Sequence, residues 1–289
     1  MRHIKLQRQT RVTSFRKLAV ATWDGPRDPT VYGELAVDMT RSLAYLEKKG
    51  QESGEKVTLT HLVGRALAQC LREFPDANVM IRRSRFYQRD AVDMFFQVAI
   101  TGEGSKGSAD DLSGAVVRKA DCKSVVEIAR ELNGRALKIR RNEDEEVTKT
   151  KNNLQWVPPG LLKIALKVLD VIGYELNIKV PGYPRDPFGS SMVTSMGMFG
   201  IAKAWAPLFP PSHCPIVLMV GAVERRPWVI TDEAGQEALV IRDVGSLCVA
   251  FDHRIMDGVL GARLTRRIDE LLRDPEQLDA LDALQAQGA

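Results

Sequence analysis

Phe251-Asp252-His253-Arg254-Ile255-Met256-Asp257-Gly258 is the stretch on which the fold turns. It follows an apolar run at 246–251 with the composition of a buried strand. It precedes Leu260, Leu264, Ile268, Leu271 and Leu272, spaced as on one face of a helix that Pro275 closes. The segment is therefore a strand-to-helix corner carrying a histidine. An imidazole titrates near neutral pH and suits general-base work. The carboxylate four residues on, Asp257, can orient the loop or join an ion pair. The same residues admit a plainer arrangement, with Asp257 as the N-cap of the helix and His253 as a satisfied strand-end histidine.

Working outward, the apolar periodicity marks further elements. Leu35, Met39, Leu43 and Leu46 are spaced as in a helix. A second helix follows from Leu62, Val63, Ala66, Leu67, Cys70 and Leu71, with Thr60 as candidate N-cap, and a third from Val125, Ile128, Ala129, Leu132, Ala136 and Leu137. Strands are expected at 94–101, 192–195, 216–222, 228–231, 238–242 and 246–251, with a hairpin turning at 232–235. The mixture is α/β, with a hairpin-rich C-terminal third.

Residues 138–151 are highly charged and read as a solvated helix end or loop. Trp156-Val157-Pro158-Pro159-Gly160 comes next, then an apolar helix at 161–176 whose narrow polar stripe is Lys163, Lys167 and Asp170. Such a helix wants burial on most of its circumference, in its own core or against another subunit. A helix lying on a membrane surface, with Trp156 as anchor, is the competing reading; the polar face is thin for that role. His213 beside Cys214 suggests a nucleophilic pair, but neighbours in an extended segment point opposite ways. His61 stands near a helix start and is expected on the surface.

Composition limits the function classes. The 289 residues are 44% hydrophobic and 27% charged, ordinary for a globular protein and unlike a disordered chain. No run approaches the roughly 20 apolar residues of a membrane span, and no apolar core follows the basic N-terminus as in a secretory leader. Cys70, Cys122, Cys214 and Cys248 are scattered without a CxxC pair, which suits reduced thiols in a cytoplasmic protein and implies no metal. The net charge of +4 and the acidic neighbours of most Arg clusters favour solvated faces over a nucleic-acid groove, so no nucleic-acid partner is expected.

The His-Arg-x-x-Asp-Gly segment after an apolar strand resembles the active-site signature of the catalytic domain of 2-oxo acid dehydrogenase complex acyltransferases, a fold shared with chloramphenicol acetyltransferase. Other stretches resemble that family in order and spacing. They are Arg11-Val12 with Arg16-Lys17-Leu18-Ala19, Phe74-Pro75-Asp76-Ala77-Asn78, and Ala120-Asp121-Cys122-Lys123-Ser124 with Ile128-Ala129. Thr194-Ser195-Met196-Gly197-Met198-Phe199-Gly200, Pro210-Pro211, Val220-Gly221 and Arg226-Pro227 complete the set. The match runs from about residue 11 to 278. It implies a two-layer chloramphenicol acetyltransferase-like sandwich, a mixed sheet flanked by helices, as a single catalytic domain over residues 1–289 with an atypical insertion at about 141–187.

The resemblance also implies acyl transfer between thiols, normally coenzyme A, a substrate here, and dihydrolipoamide. His253 would be the base that takes the proton of the attacking thiol, and Thr194 the hydroxyl that donates to the tetrahedral oxyanion. Asp257 would hold the loop through an ion pair with an arginine, Arg16 by position. Gly258 and Gly197 would support the site, Gly197 and Gly200 through backbone turns. The family's sites lie between the subunits of a homotrimer, which in some members builds higher oligomers, so an isolated monomer should be inactive. The match begins about ten residues into the chain, so no swinging lipoyl arm is expected on it; a lipoyl group would have to come in trans on another protein. Two departures bear on the chemistry. Residues 101–117 replace a shorter family stretch near the acyl pocket and thiol channel, and the insertion could cover the entrance, mediate assembly or contact a membrane. A non-catalytic structural or assembly core protein of the same fold is the alternative function.

Overall fold

The computed structural model describes residues 5–9, 11–14, 17, 28–100, 111–140, 159–180, 185–232 and 234–288. Its elements in chain order are β1 (Leu6–Arg8), β2 (Thr30–Asp38), α1 (Thr40–Ser53), α2 (Leu59–Glu73), β3 (Val79–Arg82), β4 (Arg85–Arg89), β5 (Met94–Ile100), β6 (Asp111–Val117) and α3 (Val125–Arg140). Then come α4 (Pro159–Asp170) with a π turn at Val171–Glu175, β7 (Ser191–Ser195), β8 (Ile216–Thr231), β9 (Glu237–Asp252), α5 (Gly258–Arg273) and α6 (Glu276–Gly288). Six strands form a mixed sheet in the order β2-β9-β8-β7-β5-β6, and β1-β4-β3 form a small antiparallel one. Strands β5, β7 and β8 run parallel; β2, β9 and β6 are antiparallel to their neighbours. The expected α/β class, a mixed sheet flanked by helices, is what the chain adopts.

Strand alternation sorts the sheet into two faces. Val193, Leu218, Val220 and Leu247 join the main core under α2, α3 and α5. The opposite face carries Thr194, Met219, Cys248 and Ala250. It is covered in part by the segment after β7: Trp205 Nε1 donates to the Gly33 carbonyl at 2.9 Å, and Lys203 pairs with Glu34 at 2.6 Å. That strap crosses β8 where only glycine fits, since a Cβ on Gly221 would lie 1.9 Å from the Ala202 carbonyl oxygen. The register of β8 against β9 shifts there, between Val220 and Val223.

Several elements differ from their sequence-based expectation. The helix drawn through Leu35 and Met39 is a strand up to Asp38: Val31, Leu35 and Val37 alternate, and the helix begins at Thr40, with Asp38 accepting from the Thr40 amide at 3.0 Å. The four short C-terminal strands are two long ones, buried near the core and alternating where they project. Chain continuity survives because a bulge absorbs the bend. The N-cap of α2 is Thr58, not Thr60. Helix α6 follows Pro275 unannounced, and it is clamped by Arg65, fully buried on α2, donating to Asp282 at 2.7 Å.

The apolar helix at 161–176 exists, but among the described residues its expected burial within this chain is not found. Leu161 and Ile164 are 59% and 60% exposed, and Leu166, Val168 and Val171 are also exposed. Its anchorage is polar, Asp170 to His213 Nε2 at 2.5 Å with Tyr174 stacked on the imidazole. Among the described residues no helix is long and apolar enough to cross a membrane. Trp156 and the rest of 141–158 lie outside the described residues, as do 101–110 of the atypical stretch.

Candidate functional site

The His253 corner is rigid for reasons visible in its backbone. At the end of β9 the Asp252 amide donates to the Pro215 carbonyl at 2.9 Å, and the His253 amide to the Pro29 carbonyl at 2.9 Å. The Asp252 carbonyl then accepts from the Ile255 and Met256 amides at 2.9 and 3.0 Å, folding the chain sharply back. The Asp252 carboxylate holds the Arg254 guanidinium through Nε at 3.0 Å and Nη2 at 2.8 Å, which fixes the arginine away from its neighbour. Ile255 and Met256 are buried and act as the apolar foot of the turn. His253 is left half-buried, its ring 6.3 Å from that of Phe251.

Asp257 is the N-cap of α5. Its carboxylate accepts from the Leu260 amide at 2.8 Å, satisfying one of the helix's free donors. Gly258 is the first residue of that helix, with open space where a Cβ would stand. The plainer reading of Asp257 as a cap therefore holds. Arg16, its proposed ion-pair partner, lies outside the described residues.

Thr194 stands mid-strand on β7, opposite Met219 of β8. Two cavities meet at its side. One, of about 440 Å³, is lined by Phe95, Gln97, Met192, Thr194 and Phe209. The other, of about 590 Å³, is lined by Lys56, Thr58, His61, Gln97, Asn133 and Thr194, and continues past Met196 to Phe199. Gln97 and Thr194 belong to both. Gly197 opens the short turn after β7, and a Cβ on it would come within 2.9 Å of the Gly221 carbonyl oxygen. Its role is this close approach. Gly200, at φ +73°, supplies the left-handed residue that ends the turn.

His61, expected on the surface, is only 7% exposed and lines the larger cavity. Its Nδ1 accepts from the Thr58 amide at 3.1 Å, so it closes a capping box in the place usually held by Glu or Gln. Burial, helped by the nearby Lys56 charge, lowers its pKa to about 4. The imidazole is thus a neutral polar wall of the cavity at ordinary pH. Lys56, Gln97 and Asn133 also escaped the sequence reading, because no local pattern ties them to Thr194. His213 and Cys214 do point apart: the imidazole faces Asp170, while the thiol is buried against the Phe188 and Gly189 carbonyls. Burial pushes that thiol up to about 12, which makes it a poor nucleophile.

One chain does not bring His253 and Thr194 together. Thr194 lies opposite Met219, and Met219 opposite Cys248 of β9; His253 is five residues beyond Cys248. Two strand spacings across and five residues along place the two Cα atoms about 20 Å apart. His253, Asp257 and Gly258 form one group, and Thr194 and Gly197 another.

The order of these elements and residues is that of a known family. Residues 7–151 and 188–280 match the 2-oxoacid dehydrogenases acyltransferase (catalytic domain) model. The chain belongs to that family. The unmatched residues 152–187 fall within the insertion expected at about 141–187. A curated member of this acyltransferase family, the lipoamide acyltransferase component of the branched-chain alpha-keto acid dehydrogenase complex of Bacillus subtilis (strain 168), is 25% identical over 86% of this chain and 48% of its own length. The chain thus spans about half the length of the curated relatives it matches. The Azotobacter vinelandii dihydrolipoamide acetyltransferase aligns with TM-score 0.61 and 21% identity over 87% of this chain and 84% of its own. The catalytic mechanism of that protein is described through a serine, a histidine and an asparagine four positions after the histidine. A chloramphenicol acetyltransferase aligns with TM-score 0.52 and 12% identity over 93% and 100% of the two chains, which supports the same fold.

Proposed function

We propose that the protein is an acyltransferase that moves an acyl group between coenzyme A and a second thiol or small acceptor, at sites shared between the subunits of a homotrimer. The observation that carries this reading is Thr194 at the meeting point of two cavities, with a rigid histidine corner too far away in the same chain to serve it. Two openings allow a thioester and an acceptor to approach one hydroxyl from separate sides. The missing base is then His253 of a neighbouring copy, as a cyclic assembly supplies to every site at once. The serine, histidine and asparagine of the Azotobacter vinelandii protein correspond in order to Thr194, His253 and Asp257 here, with threonine in place of serine and aspartate in place of asparagine.

A thiol with a pKa near 8.5 is mostly protonated at neutral pH, so it needs a base at hand. His253 takes the proton of the attacking thiol as its sulfur bonds to the thioester carbon. The carbonyl oxygen becomes an oxyanion, to which the Thr194 hydroxyl donates. The intermediate collapses, the carbon–sulfur bond to the first thiol breaks, and the departing thiolate takes the proton back from the imidazolium. Asp257 positions the corner by capping α5, with Arg16 as its further partner. Gly197 keeps backbone close where a side chain would intrude, and Gly258 starts the helix that follows the histidine corner. A dihydrolipoyl group supplied in trans by another protein is one candidate for the second thiol. The catalytic unit extends over the whole chain, with the insertion at about 141–187 beside it.

Active-site complementation tests this reading. His253→Ala and Thr194→Val are each expected to lose acyl transfer from short acyl-CoA donors by about a hundredfold or more. Co-refolded as a mixture, they should regain activity at about a quarter of the interfaces, where an intact histidine meets an intact threonine. Thr194→Ser should retain activity alone. Full activity of His253→Ala across a broad donor panel would overturn the catalytic assignment. Absence of recovery in verified mixed oligomers would overturn the shared site.

A further inference from the structure

The strand residue beside Thr194 is polar where its own neighbours are not. Strand β5 reads Met94-Phe95-Phe96-Gln97-Val98-Ala99-Ile100, a single carboxamide in an apolar run. It lies parallel to β7 with Phe96 opposite Val193, so Gln97 stands one residue on, beside Thr194. Phe96 and Val193 are buried in the main core. Side chains alternate along a strand, so Gln97 and Thr194 both project from the other face of the sheet. On the β6 side Gln97 pairs with Gly114, which has no side chain to meet it. The Phe95 ring covers that glycine, since a Cβ there would lie 2.0 Å from Phe95 Cζ.

The Gln97 carboxamide is open to the cavities. Among the described residues it makes no hydrogen bond. Neither its oxygen nor its nitrogen belongs to the unpartnered polar atoms that are shut off from solvent. Gln97 and Thr194 line both cavities, and theirs are the only polar side chains among the described residues lining the smaller one; Phe95, Phe188, Met192 and Phe209 form much of the remainder. Apolar walls strengthen a polar contact made between them. Adjacent strands lie about 4.8 Å apart, so a hydroxyl and an outstretched carboxamide at neighbouring positions reach one oxygen between them.

We propose that Gln97 is a second donor to the carbonyl oxygen that Thr194 serves. As the thioester carbonyl becomes an oxyanion, Gln97 Nε2 and the Thr194 hydroxyl each donate a hydrogen bond to it. The assignment rests on the acyl-transfer reading. A hydroxyl offers one donor; the carboxamide adds an N–H without adding a charge to the apolar cavity.

Steady-state kinetics of the intact protein test it, with acetyl-CoA and butyryl-CoA as donors, dihydrolipoamide as acceptor and released coenzyme A measured by chromatography. Gln97→Met keeps the length of the side chain and removes the donor. It should lower kcat about a hundredfold and leave the KM of the acyl donor within about twofold, as for an interaction made in the transition state alone. Gln97→Glu keeps the shape, sets a carboxylate against the oxyanion and should lower kcat further; it decides the matter if Gln97→Met fails to fold. Parent-like kcat in either folded variant, or a loss confined to KM, would overturn the proposal. So would a loss of activity that only tracks the folded fraction in urea unfolding. His253→Ala is measured beside them. Its full activity removes the acyl-transfer reading itself, whereas an inactive His253→Ala with parent-like Gln97 variants removes the Gln97 assignment alone.

Discussion

Acid should weaken this protein through His61, and a single substitution isolates the effect. The imidazole is buried at the start of α2, and its Nδ1 accepts from the Thr58 amide, which a protonated ring cannot do. Its pKa falls from 6.5 to about 4, chiefly through burial and then through Lys56. The unfolded chain therefore binds the proton first. The stabilisation is fully present above the unfolded value of 6.5 and is lost as pH falls towards the folded value of about 4. Linkage over that interval gives a loss of about 2.5 kcal/mol between roughly pH 7.5 and pH 4.5 from this one group. His61→Gln keeps the capping acceptor, since glutamine is a natural partner in the same position of a capping box, and removes the titration. Urea unfolding at the two pH values and one protein concentration, followed by circular dichroism, gives the comparison. The variant should lose less stability on acidification than the parent, by about 2.5 kcal/mol, while differing little near pH 7.5. Other acid-sensitive groups cancel in that difference. Equal losses in parent and variant would refute the neutral buried imidazole.

Two packing predictions follow from the same core. Asp282→Ala strips the fully buried Arg65 of its carboxylate, leaving Gln69 at 3.1 Å as its other partner, and should cost about 3 kcal/mol in the same urea experiment. Gly221→Ala puts a methyl group against the Ala202 carbonyl; it should lift the strap from β8, cost about 1–3 kcal/mol, and expose the Thr194 face to hydrogen exchange.

The legible parts of the sequence share a property. Helices α2, α3 and α5 have apolar residues at three- and four-residue spacing, and that spacing is a local consequence of helix geometry. The corner from Phe251 to Gly258 is equally local: strand, tight turn and N-cap are all read within a dozen residues. Where two local patterns overlap, local reading fails. Leu35 and Met39 satisfy helix spacing by coincidence, while Val31, Leu35 and Val37 obey the two-residue period of β2, and pairing with β9 decides between them. Helix α4 shows the reverse case. Its sequence asks for burial, and the core formed by the described residues does not provide it.

The sequence alone determined the α/β class, the histidine corner and its place before the last long helix, because these rest on neighbouring residues and on motifs in order along the chain. Tertiary structure alone decided how those pieces are used. It put His61 in the wall of a cavity, brought Arg89 to Asp186 across 97 positions, and joined two cavities at Thr194. It also set Thr194 two strands and five residues from His253. These depend on strand register and on which face each strand turns inward, and a one-residue slip would reverse every such face without changing the sequence.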